Sequence, residues 1–333
     1  MSEAPDALSL DALSLDKIRA CRADLGDAII RTPVLHWRTD TSRALGGEVW
    51  FKLEPFQRTG TFKARGALNS VRRLGPEARQ RGITAVSAGN HAVAAAFAAR
   101  ETGVSAKVVM IKTANAARVE RARSYGAEIV FADDGPSAFR IVAEIAASEG
   151  RAMVHPFEGP LVAQGTGTLG LEFAEQVADL DAVIIAIGGG GLCAGASAAI
   201  KQLQPGCKVF GVEPAGADSM RRSFAAGAPV TLDSTRTIAD SLAPPMALPY
   251  GFTACRRYVD DIVTVTDDEI RGAMRVLFDD LKLALEPAGA AATAALLGPL
   301  RRLAGQKIGI VVCGSIIDID TFAGHLRLAG QQV

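Results

Sequence analysis

The sequence has no excess of either charge: Lys plus Arg and Asp plus Glu number 36 each, and the isoelectric point is about 6.9. Such a balance builds no long-range field to draw in nucleic acid or an anionic membrane, so neither is expected as a partner. Paired cysteines are also missing. Cys21, Cys193, Cys207, Cys255 and Cys313 are scattered, with no C-x-x-C spacing. That pattern gives no zinc signature and suits reduced thiols in the cytoplasm. The N-terminal MSEAPDALSL is acidic and polar, unlike a secretory leader. The uncharged run 182–200 has the length to span a bilayer. However, it contains four consecutive glycines, Gly188 to Gly191, and each costs about 1 kcal/mol in a helix. A buried strand, a loop and a helix are expected there instead. No low-complexity linker divides the chain, so any two domains are expected to interleave.

What is present is apolar material in short runs. Hydrophobic residues make up 49% of the chain, enough for a sizeable core. Asp16–Ala28 reads as a helix. The tandem repeat Asp6–Leu15 before it reads as a frayed or surface leader. Runs 49–53, 84–86, 106–111, 128–131, 182–187, 208–212 and 307–312 read as strands. Runs 61–74, 90–102, 116–125 and 137–148 read as helices. Short apolar strands alternating with helices predict an α/β chain with mostly parallel, buried sheets. In open sheets of this kind ligands sit beyond the carboxyl ends of the strands, where several glycine-rich turns fall.

Three constellations carry chemistry. In Gly60-Thr61-Phe62-Lys63-Ala64-Arg65-Gly66, a lysine opens a helix behind a turn glycine and beside an aromatic ring. A buried lysine loses its charge readily and suits Schiff-base chemistry, although most lysines are simply exposed. In Ser87-Ala88-Gly89-Asn90-His91, a strand gives way to a helix. Amides at a helix N-terminus bind carboxylates, and the same residues also make an ordinary N-cap. Gly188-Gly189-Gly190-Gly191-Leu192 follows an apolar strand. Consecutive glycines let amides converge on a phosphate without Cβ clashes. The spacing matches neither the P-loop nor the dinucleotide fingerprint.

T-G-T-F-K-A-R-G-A, S-A-G-N-H-A and G-G-G-G-L, in that order, resemble the threonine/serine dehydratase and serine racemase family. The likeness continues through His155-Pro156-Phe157, Gly211-Val212-Glu213-Pro214, Thr237-Ile238-Ala239-Asp240 and Glu286-Pro287. It implies a fold-type II, tryptophan-synthase-β-like enzyme that uses pyridoxal phosphate. The implied fold is two open, mostly parallel twisted sheets flanked by helices. Residues 1–81 with 158–333 would form the large cofactor-binding domain, and 82–157 a small domain that closes on substrate. Lys63 would carry the cofactor as a Schiff base, and Phe62 would pack beside its ring. Asn90 would bond its phenolic 3′-oxygen, Gly188 to Leu192 would hold its phosphate, Glu286 would belong to the cofactor site, and Cys313 would face its pyridine nitrogen. Ser87, Ala88, Gly89, Asn90 and His91 would bind the substrate carboxylate. Glu213, Ala217 and Ser219 fall where the family often holds a divalent cation, Mg or Ca. A homodimer is also implied.

The implied activity is loss of water from L-threonine, L-serine or a related 3-hydroxy-amino acid, giving a 2-keto acid and ammonia. Val93 and Ile316 replace polar residues usual in the family, which opens the substrate range. 3-Hydroxyaspartate, phenylserine and a hydroxyectoine-derived amino acid are the alternatives. A racemase is disfavoured because Ala88 stands where racemases carry a serine. A β-replacement synthase is disfavoured by the lysine context. A non-catalytic binding protein on the same scaffold is disfavoured by Lys63, Asn90 and the glycine loop together. No C-terminal regulatory domain is expected.

Overall fold

The computed structural model describes residues 9–87 and 89–329. In chain order its strands are β1 (Val34–His36), β2 (Glu48–Leu53), β3 (Ile83–Val86), β4 (Ala106–Ile111) and β5 (Glu128–Ala132). They continue with β6 (Ala152–Met153), β7 (Ala182–Ala186), β8 (Lys208–Pro214), β9 (Asp261–Val265) and β10 (Lys307–Val312). They form a six-stranded sheet ordered β1-β2-β10-β7-β8-β9 and a four-stranded sheet ordered β5-β4-β3-β6. Among these ten strands only the β1–β2 pair is antiparallel, and every other strand pair is parallel. The architecture is the expected α/β one. Helices cover both faces, so β7 (AVIIA) is buried at every position and shows no polar alternation.

Helix Asn90–Thr102 and strands β4 and β10 fall at the bounds expected from sequence. The helix expected over Asp16–Ala28 ends at Leu25, because Gly26 takes φ +48° and the chain tightens into a 3₁₀ turn at Gly26–Ala28. Strands β6 and β9 were not anticipated. The first is two residues long, and the second opens on an acid. The frayed leader is a correction. Leu13 is fully buried. The Gln202 side chain accepts from the Leu15 amide (2.9 Å) and donates to the Leu13 carbonyl (2.8 Å). Those bonds and the burial of one leucine outweigh end fraying. Residues 6–8 lie outside the described residues.

Strand order places the chemistry. β2, β10 and β7 are neighbours, about 4.8 Å apart from one to the next. Their carboxyl ends run on into the Lys63 segment, Cys313 and the glycine loop. The four-stranded sheet delivers the Ser87–Asn90 turn from the carboxyl end of β3.

Behind Lys63, helix Lys63–Arg72 is anchored by charge. Arg65 is fully buried and forks onto Glu54 (2.8 and 2.9 Å) and Glu172 (2.8 and 3.0 Å). Lys52, equally buried, donates to Glu172 (2.9 Å), Gln176 (2.8 Å) and the Thr32 carbonyl (2.8 Å). The cations of Arg65 and Lys52 balance the anions of Glu54 and Glu172, and the remaining donors find acceptors, as buried charge requires.

Candidate active site

Lys63 opens its helix immediately after a turn that needs Gly60 at φ +79°. The Phe62 amide donates to the Cys313 carbonyl (3.1 Å), which ties the lysine to the end of β10. The lysine Nζ lies 5.2 Å from the Phe62 ring centre and donates to the Pro156 carbonyl. Burial pushes its ammonium down to about 8, against opposing pulls from Cys313 and Glu286. A neutral amine is therefore within reach near neutral pH, as a nucleophile or base needs.

A cleft opens over this amine. Its walls are Phe62, Lys63, Asn90, Phe157, Gly188 to Leu192, Ser241, Leu242, Pro244, Glu286, Ala288 and Cys313. The glycine loop caps β7 and leads straight into helix Gly191–Leu203. Gly190 takes φ +95°, and a Cβ at Gly191 would stand 2.3 Å from the Phe157 carbonyl oxygen. The loop is a cradle that side chains would fill. The first amides of the helix lack partners within it, the arrangement by which helix N-termini bind anions.

Across the cleft, Asn90 Nδ2 donates to Glu286 Oε1 (2.6 Å) and to Ser241 Oγ (3.3 Å). Its Oδ1 is buried and has no partner. Arg118 donates to Glu286 Oε2 (3.1 Å) and to both oxygens of Asp240 (2.5 and 3.3 Å). Ser241 Oγ returns to Asp240 Oδ1 (3.2 Å), closing a ring of five side chains. Asn90 and Arg118 come from the four-stranded unit and the other three from the six-stranded unit, so the ring pins one unit to the other. Burial raises the Glu286 carboxyl to about 7 despite Arg118. The Cys313 thiol donates to the Ala288 carbonyl (3.3 Å), and burial pushes its pKa up, so the thiol stays neutral.

The cleft therefore gathers Phe62, Lys63, Asn90, Gly188, Gly189, Gly190, Gly191, Leu192, Glu286 and Cys313. Ser87 and Gly89 form a tight turn at its edge, with the Gly89 amide donating to Ser87 Oγ (3.0 Å). Ala88 lies outside the described residues. His91 departs from expectation. Its ring is buried and bonded through Nε2 to the Val154 carbonyl (2.8 Å), so its side chain is committed to the interior. Burial first, and then Lys63, hold its pKa down to about 3. Val93 also departs: it is wholly buried in the core of the four-stranded unit rather than on the cleft.

Glu213, Ala217 and Ser219 are not among the cleft's lining residues. Both Glu213 oxygens accept amides, from Met220 (2.9 Å) and Arg221 (2.7 Å), and cap helix Ser219–Ala226. Among the described residues no group of three or more His, Cys, Asp or Glu side chains could hold a metal ion.

Arg118, Asp240, Ser241 and Phe157 were given no role from sequence. Asp240 and Phe157 lay inside motifs already noticed. Arg118 sits in an ordinary-looking basic helix, and its only signal is the fold that buries it.

The chain matches the family described as pyridoxal-phosphate dependent enzyme over residues 25–314. It belongs to that family. It is 53% identical over 315 residues to a phenylserine dehydratase of Ralstonia pickettii, covering 94% of this chain and 96% of that one. It is 39% identical over 297 residues to an L-threo-3-hydroxyaspartate ammonia-lyase of Saccharomyces cerevisiae, covering 88% and 90%. Maize serine racemase superposes with a TM-score of 0.88 at 35% identity, covering 96% of this chain and 98% of the maize chain. The cleft fits the family's cofactor on its own chemistry. It offers an amine of lowered pKa for an aldehyde, a glycine cradle for a phosphate, and an unpartnered Asn90 oxygen.

Proposed function

We propose that this chain is a pyridoxal-phosphate dehydratase of a 3-hydroxy-amino acid with an apolar, aryl-sized substituent, releasing a 2-keto acid and ammonia. The observation that carries the reading is Lys63, an amine of lowered pKa facing a glycine cradle across a cleft that Asn90 and Glu286 wall off. Lys63 would hold the cofactor, Gly188 to Leu192 its phosphate, Asn90 its phenolic oxygen, and Cys313 its pyridine edge. Bound there, the cofactor supplies the electron sink.

The protein's own residues supply the rest. Amides of the Ser87–Asn90 turn, at the start of a helix, hold the substrate carboxylate. The Lys63 amine takes the proton from the substrate α-carbon. The neutral Cys313 thiol would offer the cofactor's pyridine edge no ionic partner, which would weaken the electron sink and favour loss of the β-hydroxyl, with a proton, as water over transamination. The unit built on residues 82–157 closes over the substrate, with the Arg118 ring as its fastening.

The substrate class follows from charge. Among the described cleft residues Lys63 is the one cation. Arg118, just behind, spends its donors on Asp240, Glu286 and the Ile316 carbonyl. A second carboxylate, as in 3-hydroxyaspartate, finds no free counter-charge, and an unpaired anion there is costly. Phe157, Leu242 and Pro244 instead offer an apolar wall. The 53% likeness to a phenylserine dehydratase supports the same reading.

A cation at Glu213 would have to displace two amide bonds, so the reaction is read without one. Five buried free thiols support a reducing compartment, the cytoplasm, and a homodimer is the expected assembly. Among the described residues no helix is long and apolar enough to cross a membrane.

The test is keto-acid release from L-threo-phenylserine, L-threonine, L-serine, D-serine and 3-hydroxyaspartate, with Lys63→Ala as control. Turnover of phenylserine above the others and a dead control are expected. Preference for 3-hydroxyaspartate would refute the apolar assignment. No turnover of any of them by the cofactor-loaded protein would refute the dehydratase.

A further inference from the structure

We propose that Glu286 is a positioning residue whose charge state sets which end of the Asn90 amide faces the cofactor's phenolic oxygen. The inference rests on the cofactor assignment above. It starts from an imbalance in the buried ring. Asn90 is 5% exposed, and its Nδ2 has two partners, Glu286 and Ser241, while its Oδ1 has none. A buried carbonyl oxygen without a partner is costly unless a ligand supplies one.

An ionised carboxylate only accepts. Ionised Glu286 therefore holds Nδ2 toward itself and leaves Oδ1, an acceptor, for the ligand. A phenolic oxygen meeting that acceptor must keep its proton. Protonated Glu286 has a donor of its own. It can donate to Oδ1, which turns the amide over and frees Nδ2 to donate to an ionised phenolic oxygen. Ser241 permits both states, because a hydroxyl donates or accepts as needed. Gly314, where a Cβ would lie 2.4 Å from Glu286 Oε1, closes the carboxyl in from the β10 side.

The charged and titratable groups around Glu286 set the balance. Arg118, on helix Ala116–Ser124, favours the anion from 3.1 Å. Asp240, on the 3₁₀ turn Asp240–Leu242, opposes it. Lys63 and Cys313 face it from the start of helix Lys63–Arg72 and the end of β10. Burial leaves its pKa at about 7, so both states are reached near neutrality.

The sign is diagnostic. A phenol titrating by itself ionises as pH rises. Here the phenolic oxygen is held ionised below neutrality, where Nδ2 faces it, and protonated above. An ionised phenol absorbs at longer wavelength than a protonated one. The experiment follows the absorbance of the cofactor-loaded protein, without substrate, against pH. The long-wavelength band should grow as pH falls through about 7.

Glu286→Gln tests the cause, with circular dichroism as the folding control. Its amide oxygen takes over the Arg118 bond, and its NH₂ must donate to Asn90 Oδ1. The variant should keep the long-wavelength band at every pH across neutrality. A wild-type spectrum flat with pH, or rising with pH, overturns the proposal. So does a Glu286→Gln protein that titrates like wild type. A protein that takes up no cofactor overturns the cofactor assignment and this inference with it. A loaded protein with a flat spectrum overturns the inference alone.

Discussion

A Cβ at residue 189 would stand 2.1 Å from the ring of Phe157. The glycine loop is shaped by this one aromatic residue, whose carbonyl also crowds residue 191. Phe157 is in turn held by His155. The His155 Nδ1 accepts the Phe157 and Glu158 amides (3.2 and 2.9 Å), and the two rings meet edge-on at 4.8 Å. Gly189→Ala must therefore move Phe157 or the loop, at a cost of about 1–3 kcal/mol. Cofactor affinity should fall roughly tenfold to a hundredfold, while the fold persists. Titration of the variant with pyridoxal phosphate, followed by absorbance, measures it; wild-type affinity would mean the loop does not hold the phosphate.

Lys63 should show its lowered pKa before any turnover. Its amine is reactive only when neutral, and burial brings it to about 8. The rate of cofactor uptake by the cofactor-free protein should therefore rise with pH and reach half its plateau near pH 8. An ordinary lysine would titrate about two pH units higher. Lys63→Arg, which keeps the charge but not a deprotonable amine, should abolish covalent uptake at any pH in this range. Borohydride reduction and peptide mapping would identify the labelled residue.

Much of this site was legible in the sequence because backbone constraints write themselves in residue type. Gly189 and Gly191 cannot take a Cβ without collision, Gly190 holds φ +95°, and a lysine behind Gly60 at φ +79° has a fixed place at a helix start. Side-chain partnerships across the two units were not legible. Arg118 and Glu286 are 168 positions apart, and Asn90 and Glu286 are 196 apart. No local pattern marks such pairs, since only the packing of one sheet against the other brings them together. His91 misled for the opposite reason. It belongs to a legible turn, but helix geometry rotates its ring into the core. Lys52 sits in an apolar run that reads simply as a strand, and its charge hints at the buried Glu172 only once the fold is known.

Glu172 should be among the least replaceable residues outside the cleft. It takes bonds from Arg65, Lys52 and Arg22. Glu172→Ala leaves two fully buried cations with one fully buried anion, Glu54, between them. Removing one partner of a buried ion pair costs about 3–5 kcal/mol, so urea unfolding should show a loss of that size. The paired change Lys52→Met with Glu172→Leu removes both charges and should recover part of it. A cost under about 1 kcal/mol for the single change, the level of an exposed pair, would show that water reaches the cluster.

Arg118 gives the last prediction, one of stability against pH. Arg118→Met takes away the cation that stabilises ionised Glu286 and leaves Asp240 nearby to oppose it. Glu286 already holds its proton more tightly in the folded chain, at about 7, than a carboxyl in the unfolded chain. A group raised in this way supports folding below its unfolded pKa, and the support is lost as pH rises through the folded one. Without Arg118 the folded pKa moves higher, so the loss reaches further into the alkaline range. The variant should be close to wild type near pH 5 and weaker near pH 9 by up to about 2.7 kcal/mol, the most that two pH units above the wild-type value of about 7 allow at about 1.4 kcal/mol per unit. Asp240→Asn should cost far less, because the Asp240 side chain is 57% exposed and water takes over its bonds. Denaturation midpoints at the two pH values decide the matter. A deficit for Arg118→Met that is equal at both would place its role in packing rather than in the charge of Glu286.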